Sequence, residues 1–287
     1  MLIEITETID TILSIASFVI GAMIGSFLNV CVYRMPRDQS VVKPRSMCPK
    51  CEQPIAWYDN FPVISWLLLG AKCRNCSQPI SWQYPLVEAI TGTLFFFIYW
   101  RFGLVLATPI YMLLAASLVL VTFIDLTDWT IPNEVTIPGV FIGVGCAVIG
   151  MVYPQSGLLL SVPLNAIIGL FLGGGILYSL DKISLLLLKK RGMGFGDVKL
   201  MAMLGAFFGW KAAILNIVLA AFLGSIIGII LIVLAKRGGG DKNSEGHYLP
   251  FGPYIAVGGL IVMFFGDSMI NAYLRQAFPL LVTTALP

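Results

Sequence analysis

The sequence predicts an all-α polytopic membrane protein of about eight transmembrane helices with a small cytoplasmic zinc-binding module. Three observations carry this. Hydrophobic residues make up 58% of the 287 residues and charged residues only 11%, with a mean hydropathy of +0.89. A soluble surface needs far more charge than that. Apolar runs of about 20 residues, the length that spans a bilayer, recur along the chain. Two Cys-x2-Cys pairs sit together in its one long polar loop.

In chain order, the expected spans are 10–33, 85–100, 105–125, 134–153, 158–181, 197–209, 212–235 and 253–279. The stretch from 197 to 236 would rise roughly 60 Å as one helix, about twice the hydrocarbon thickness. A break at Gly209-Trp210-Lys211 is therefore expected. The acidic start MLIEITETID has no Lys or Arg, unlike a secretory signal, so the first helix reads as retained. The organisation reads as a first transmembrane helix over 1–33, a tetracysteine module over 34–84 and a seven-helix core over 85–287. No internal repeat is evident. No basic run interleaved with aromatics points to nucleic acid.

Charge sets the orientation. Eight spans leave the loops 34–84, 126–133, 182–196 and 236–252 on one side. Together with Lys199, that side holds all of the 18 Lys and Arg residues except Arg101, Lys211 and Arg275. The positive-inside rule makes it cytoplasmic and puts both termini outside.

Cys48-x2-Cys51 is followed after 21 residues by Cys73-x2-Cys76. Two such knuckles supply four thiolates for tetrahedral zinc, and four protein ligands leave no position for a catalytic water. A loop of this size builds little core, so a structural metal would supply its folding energy. A reducing cytoplasm argues against disulfides. Cys31 and Cys146 lie alone in apolar runs and are expected to pack as small hydrophobes.

A carboxylate near the membrane is costly and marks a functional candidate. Asp125 ends the third span, in Val121-Thr-Phe-Ile-Asp-Leu-Thr-Asp128. Asp197 starts the sixth, in Gly192-Met-Gly-Phe-Gly-Asp-Val-Lys199. The loop charges alone put both at one membrane face. Singly, Asp197 reads as an N-cap and Asp125 as an interfacial polar residue. The glycines Gly192, Gly194 and Gly196 add a backbone that an extended substrate can approach. Two close carboxylates cannot both ionise readily, so one keeps its proton. The ionised one takes a proton from water, and the protonated one polarises the scissile carbonyl. The pair titrates as a unit, and acid and base are not assigned separately.

Five motifs in order give the chain a family resemblance. They are Gly25-Ser-Phe-Leu-Asn-Val-Cys-Val-Tyr-Arg-Met-Pro36, the four cysteines around Tyr58-Asp-Asn-Phe-Pro-Val-Ile-Ser-Trp66, and Tyr84-Pro-Leu-Val-Glu88. Asp125 with Ile131-Pro-Asn133, and Gly194-Phe-Gly-Asp-Val-Lys199, complete the set. Over nearly its whole length the chain resembles the bacterial prepilin peptidases, aspartyl proteases of the GxGD type. The resemblance implies cleavage of the basic leader of prepilins and pseudopilins in type IV pilus or type II secretion systems. It places that cleavage at the cytoplasmic face of the inner membrane. It also implies methylation of the new N-terminus from S-adenosyl-L-methionine. It makes Asp125 and Asp197 catalytic and Cys48, Cys51, Cys73 and Cys76 the zinc ligands. Many bifunctional members have glycine two residues before the third cysteine, where this chain has Ala71. Membrane lipids are the other expected partner.

Gly194, Gly196 and Lys199 are expected to support the Asp197 loop, with snorkelling the bland alternative for Lys199. Glu88, Asn29 and Arg34 are candidates for contacts with substrate or methyl donor. The bland alternative for Glu88 is stabilising a helix N-terminus, and for Arg34 it is an orientation signal. Other readings are a protease of the presenilin or signal-peptide-peptidase type, or a non-catalytic membrane scaffold with a zinc ribbon. The first lacks the tetracysteine loop, and the second has no use for paired aspartates.

Overall fold

A computed structural model describes residues 2–48, 50–189, 192–237 and 249–277, with side chains left out for 2–7, 57 and 235–237. Eight α-helices account for most of them: α1 (Leu2–Arg34), α2 (Ile64–Leu68), α3 (Gln83–Phe102), α4 (Ala107–Asp128), α5 (Asn133–Val152), α6 (Pro163–Leu188), α7 (Phe195–Arg237) and α8 (Gly252–Ala277). Among the described residues, the only strand-like pairings are two isolated bridges in the loop after α1. Six helices among the described residues are long and apolar enough to cross a bilayer: α1, α4, α5, α6, α7 and α8. The expected eight adds α3 and divides α7. In α3 the polar residues Gln83, Glu88 and Arg101 dilute the apolar run. The chain forms two compact units, residues 1–132 and 133–287.

In the first unit, α1 and α3 pack almost backbone to backbone. A Cβ on Gly21 would lie 2.8 Å from the Phe95 side chain, and one on Gly25 would lie 2.7 Å from the Glu88 Cα. Small residues permit this approach in a lipid setting, where packing replaces the hydrophobic drive between helices. Ser14, Ser17 and Thr91 hydroxyls bond the carbonyls of Asp10, Leu13 and Val87 one turn back, so each buried hydroxyl is satisfied within its own helix. Cys31 in this unit, and Cys146 in the other, are buried as expected.

In the second unit, α7 breaks at Gly209, where φ is 81° and ψ 176°. Only glycine takes that backbone easily, and the break falls inside the expected tripeptide. A Cβ on Gly169 of α6 would overlap the Gly205 carbonyl and lie 2.6 Å from the Gly209 carbonyl carbon, so α6 fits directly against the bend. The Asn216 side chain, buried beyond the bend, donates to the Ile255 carbonyl and ties α7 to α8.

The fifth expected span is displaced. Helix α6 covers Pro163–Leu188 in place of 158–181. Val162 is extended and Pro163 occupies the first turn, where its fixed φ starts a helix and its missing N–H costs nothing. The apolar residues after Asp181 carry the helix on to a left-handed Lys189. The composition of residues 238–247, GGGDKNSEGH, predicts a flexible loop, and this stretch lies outside the described residues.

Candidate active site and tetracysteine module

The four cysteines come together. The Sγ atoms of Cys48, Cys51, Cys73 and Cys76 all lie within 4.8 Å of one another, and Cys48 and Cys76 Sγ are 3.8 Å apart. Zinc–sulfur bonds of about 2.3 Å in a tetrahedron give sulfur–sulfur edges of about 3.8 Å, so the cluster has the dimensions of a zinc site. The knuckles are copies of each other. Each reads Cys-x2-Cys-x-Gln-Pro-Ile, at 48–55 and 73–80. The Cys48 N–H donates to the Gln53 carbonyl, and the Cys73 N–H to that of Gln78. Glu52 and Ser77 have φ near +55° at the same point in each, and Met47 pairs with Pro54 as Lys72 does with Pro79. This short repeat corrects the reading that the chain has none. Its sign was the recurring Gln-Pro-Ile after each pair.

The backbone N–H groups of Cys76 and Asn75 pull the Cys73 thiol down to about 7. The Gln78 N–H also favours the Cys76 thiolate, but burial and the neighbouring Cys51, Cys73 and Cys48 push Cys76 up to about 11. Clustered thiols resist joint ionisation without a cation, and a bound cation removes that conflict. At the module's edge, Arg74 grips Asp59 through two bonds of 2.7 and 2.6 Å and holds its carboxyl below the usual range.

Glu88, Asn29 and Arg34 are buried and engaged by the chain's own backbone. Glu88 Oε2 accepts the Val63 N–H at 2.7 Å, 25 residues back in the module. Asn29 Nδ2 donates to the Tyr84 carbonyl at 3.1 Å, and Arg34 Nη1 to the Ser40 carbonyl at 3.0 Å. Glu88 is therefore not a helix-terminus residue, as its bland reading had it. It lies in the second turn of α3 and fastens the loop that precedes α2.

Asp125, in the first unit, is 6% exposed one turn before the end of α4. Trp129 ends that helix in the left-handed region and donates its N–H to the Asp125 carbonyl. Beside it, Arg37 reaches Asp128 at 3.5 Å.

Asp197, in the second unit, is 7% exposed. It is not the N-cap. Helix α7 starts at Phe195, so Asp197 is its third residue, and its Oδ2 reaches back to the Gly194 N–H at 3.1 Å. This is the acidic half of a capping box. Gly194 leaves room for the carboxylate, because a Cβ there would lie 3.2 Å from Oδ2. Lys199 Nζ donates to Asn133 Oδ1, at the start of α5, and lies 5.2 Å from the Phe195 ring centre. The Met193 N–H points at Asp181 Oδ1, 3.4 Å away, and a Cβ on Gly192 would lie 2.8 Å from Ser184 Oγ. The end of α6 thus seats the glycine-rich turn. Asp181 and Asn133 were missed as parts of this setting, although an acid in an apolar helix is itself a signal.

Comparison with known proteins agrees with this architecture. Residues 19–102 match the bacterial peptidase A24 N-terminal domain, and residues 112–229 match the type IV leader peptidase family. Proteins named prepilin leader peptidase/N-methyltransferase align over most of the chain. The one from Aeromonas salmonicida is 33% identical over 96% of this chain and 98% of its own length. The one from Pseudomonas aeruginosa is 32% identical over 92% and 94%. That from Myxococcus xanthus is 38% identical over 77% of this chain and 64% of its own. No solved structure matches the chain. On these matches the chain belongs to the type IV leader peptidase family.

Proposed function

We propose that the chain is an aspartyl endopeptidase of the bacterial inner membrane that removes the basic leader of type IV prepilins and pseudopilins and methylates the N-terminus it creates. The supporting observation is that the chain of this family buries two acids, Asp125 and Asp197, each near a terminus of an apolar helix. A buried acid there is expensive unless it works. Asp125 and Asp197 act as the catalytic pair, one ionised and activating water, the other protonated and polarising the scissile carbonyl. Gly194, Gly196, Lys199 and Asn133 hold Asp197 for this. The chain crosses the membrane eight times, with α7 divided at Gly209, both termini outside and the catalytic face cytoplasmic, as the loop charges favour.

Zinc is structural, held by Cys48, Cys51, Cys73 and Cys76, where it locks the two knuckles together. S-adenosyl-L-methionine supplies an electrophilic methyl group for the new amine. Support for this second activity is the relatives' name. Ala71 does not count against it. Its φ is +60°, and glycine is favoured at such a position for backbone reasons alone.

The test exchanges Asp125→Asn and Asp197→Asn separately and follows a prepilin by mass spectrometry. Loss of cleavage in both, with the protein still inserted and zinc-loaded, is expected. Full cleavage in either refutes the assignment. An unmethylated but correctly cut product from the parent enzyme removes the second activity.

A further inference from the structure

The tetracysteine module presents an apolar face that neither metal binding nor proteolysis uses. Helix α2 turns Ser65 inward, where its hydroxyl donates to the Tyr58 carbonyl and accepts the Phe61 N–H. Trp66 Nε1 donates to the Ile80 carbonyl. The outward side carries Phe61, Ile64, Leu67 and Leu68, with exposures of 53, 58, 64 and 83%. At this spacing they form one stripe, and a contiguous exposed apolar patch marks an interaction surface.

What covers the stripe follows from where α2 is pinned. Val63, just before α2, donates its N–H to Glu88 Oε2 at 2.7 Å. Glu88 lies about 8 Å along α3 from Gln83, at 1.5 Å per residue. Helix α2 therefore starts level with the second turn of α3, where that helix already packs on α1 through Gly25. A face fastened at that depth borders the hydrocarbon, not open water. Trp82, 69% exposed, and Tyr84, 38% exposed, lie about one to two turns nearer the start of α3 than Glu88, and such amphipathic aromatics gather at membrane interfaces, which leaves the Glu88 level on their hydrocarbon side. The exposed cations Lys43, Arg45, Lys50 and Lys72 outnumber the acids Asp38 and Glu52, while Asp59 is taken by Arg74. An apolar stripe amid cations is the composition of an interfacial anchor on anionic lipid.

We propose that Phe61, Ile64, Leu67 and Leu68 lie in the headgroup layer of the bilayer, at the face where α1 ends and α3 begins, with the module's cations on anionic phospholipid headgroups. This rests on the membrane spans and not on the protease assignment.

The test places p-benzoylphenylalanine at Leu68, and separately at Ile64, in the full chain. Zinc content equal to the parent's certifies the fold. The protein is illuminated in discs of phosphatidylethanolamine with phosphatidylglycerol, in discs of phosphatidylcholine alone, and in native membranes. A mass increase of one phospholipid is expected at both positions, with none for a probe at Asn75. Yield should fall when phosphatidylglycerol is withheld, and Lys72→Gln should lower it about fivefold in the anionic discs, one cation's worth of attraction. Equal yields in the two discs overturn the anionic-headgroup half. Attachment to another protein at both positions, or no lipid adduct, overturns the anchor.

Discussion

Ala71 occupies a backbone conformation that its side chain resists. Gly70 and Ala71 have φ of +59° and +60°. The chain cannot relax there, because the Ala71 N–H donates to the Trp66 carbonyl at 2.9 Å and its carbonyl accepts the Ile80 N–H at 2.7 Å. Cys73 follows two residues later. A non-glycine residue in the left-handed region costs about 1–2 kcal/mol. Glycine removes that cost but brings about 0.5–1 kcal/mol of extra unfolded-chain entropy. The net gain from Ala71→Gly is about 0.5–1 kcal/mol. Metal binding and folding of the module are coupled, so this gain should tighten zinc about two- to fivefold. Ala71→Val, β-branched, should weaken it. Equilibrium competition with a chromophoric chelator, on the full chain in detergent, reads both. Equal or weaker zinc binding by Ala71→Gly would show that the backbone account is wrong. Methylation relative to cleavage should stay unchanged in Ala71→Gly, because only module stability is altered.

Glu88→Ala leaves the Val63 N–H without its acceptor, a loss of about 1–3 kcal/mol. Limited proteolysis should cut residues 61–69 faster, while Glu88→Gln, which still accepts the bond, should resemble the parent. Asn133→Ala removes the acceptor of Lys199 and should lower kcat for prepilin cleavage by up to about tenfold, with KM little changed. Asn133→Asp should restore it, and a change confined to KM would refute the positioning role. The Cys76 and Asn75 N–H groups hold the Cys73 thiol down to about 7. Its lowered value favours the thiolate above that pH, and protons compete with zinc below it. Apparent zinc affinity, read by chelator competition, should therefore fall about one further power of ten per pH unit below 7 than it does just above 7. An unchanged slope across pH 7 would contradict this.

Much of the site was legible because its signals are local. Cys-x2-Cys pairs, a glycine-rich turn before an acid, and apolar runs of spanning length each follow from a few adjacent residues. What escaped the sequence involves partners far along the chain or the fine phase of a helix. Asp197 read as an N-cap because any acid at a helix start fits that role. Three residues of register make it the third helical residue, reaching back to Gly194. Asn133 sat inside a recognised motif, but nothing in its neighbourhood names Lys199, 66 residues on.

The sequence by itself determined the class of the protein, an all-helical membrane chain, because bilayer thickness and the exclusion of charge act on composition. It determined which four cysteines gather into a cluster that could hold zinc, because a knuckle is defined by spacing. It also determined the bend in α7, because one glycine separates two spans. Only the tertiary structure decided what Glu88 does. As a sequence feature it is an acid near the start of a helix. In the fold it fastens the metal module to α3, because its bond to Val63 joins residues that only folding makes neighbours.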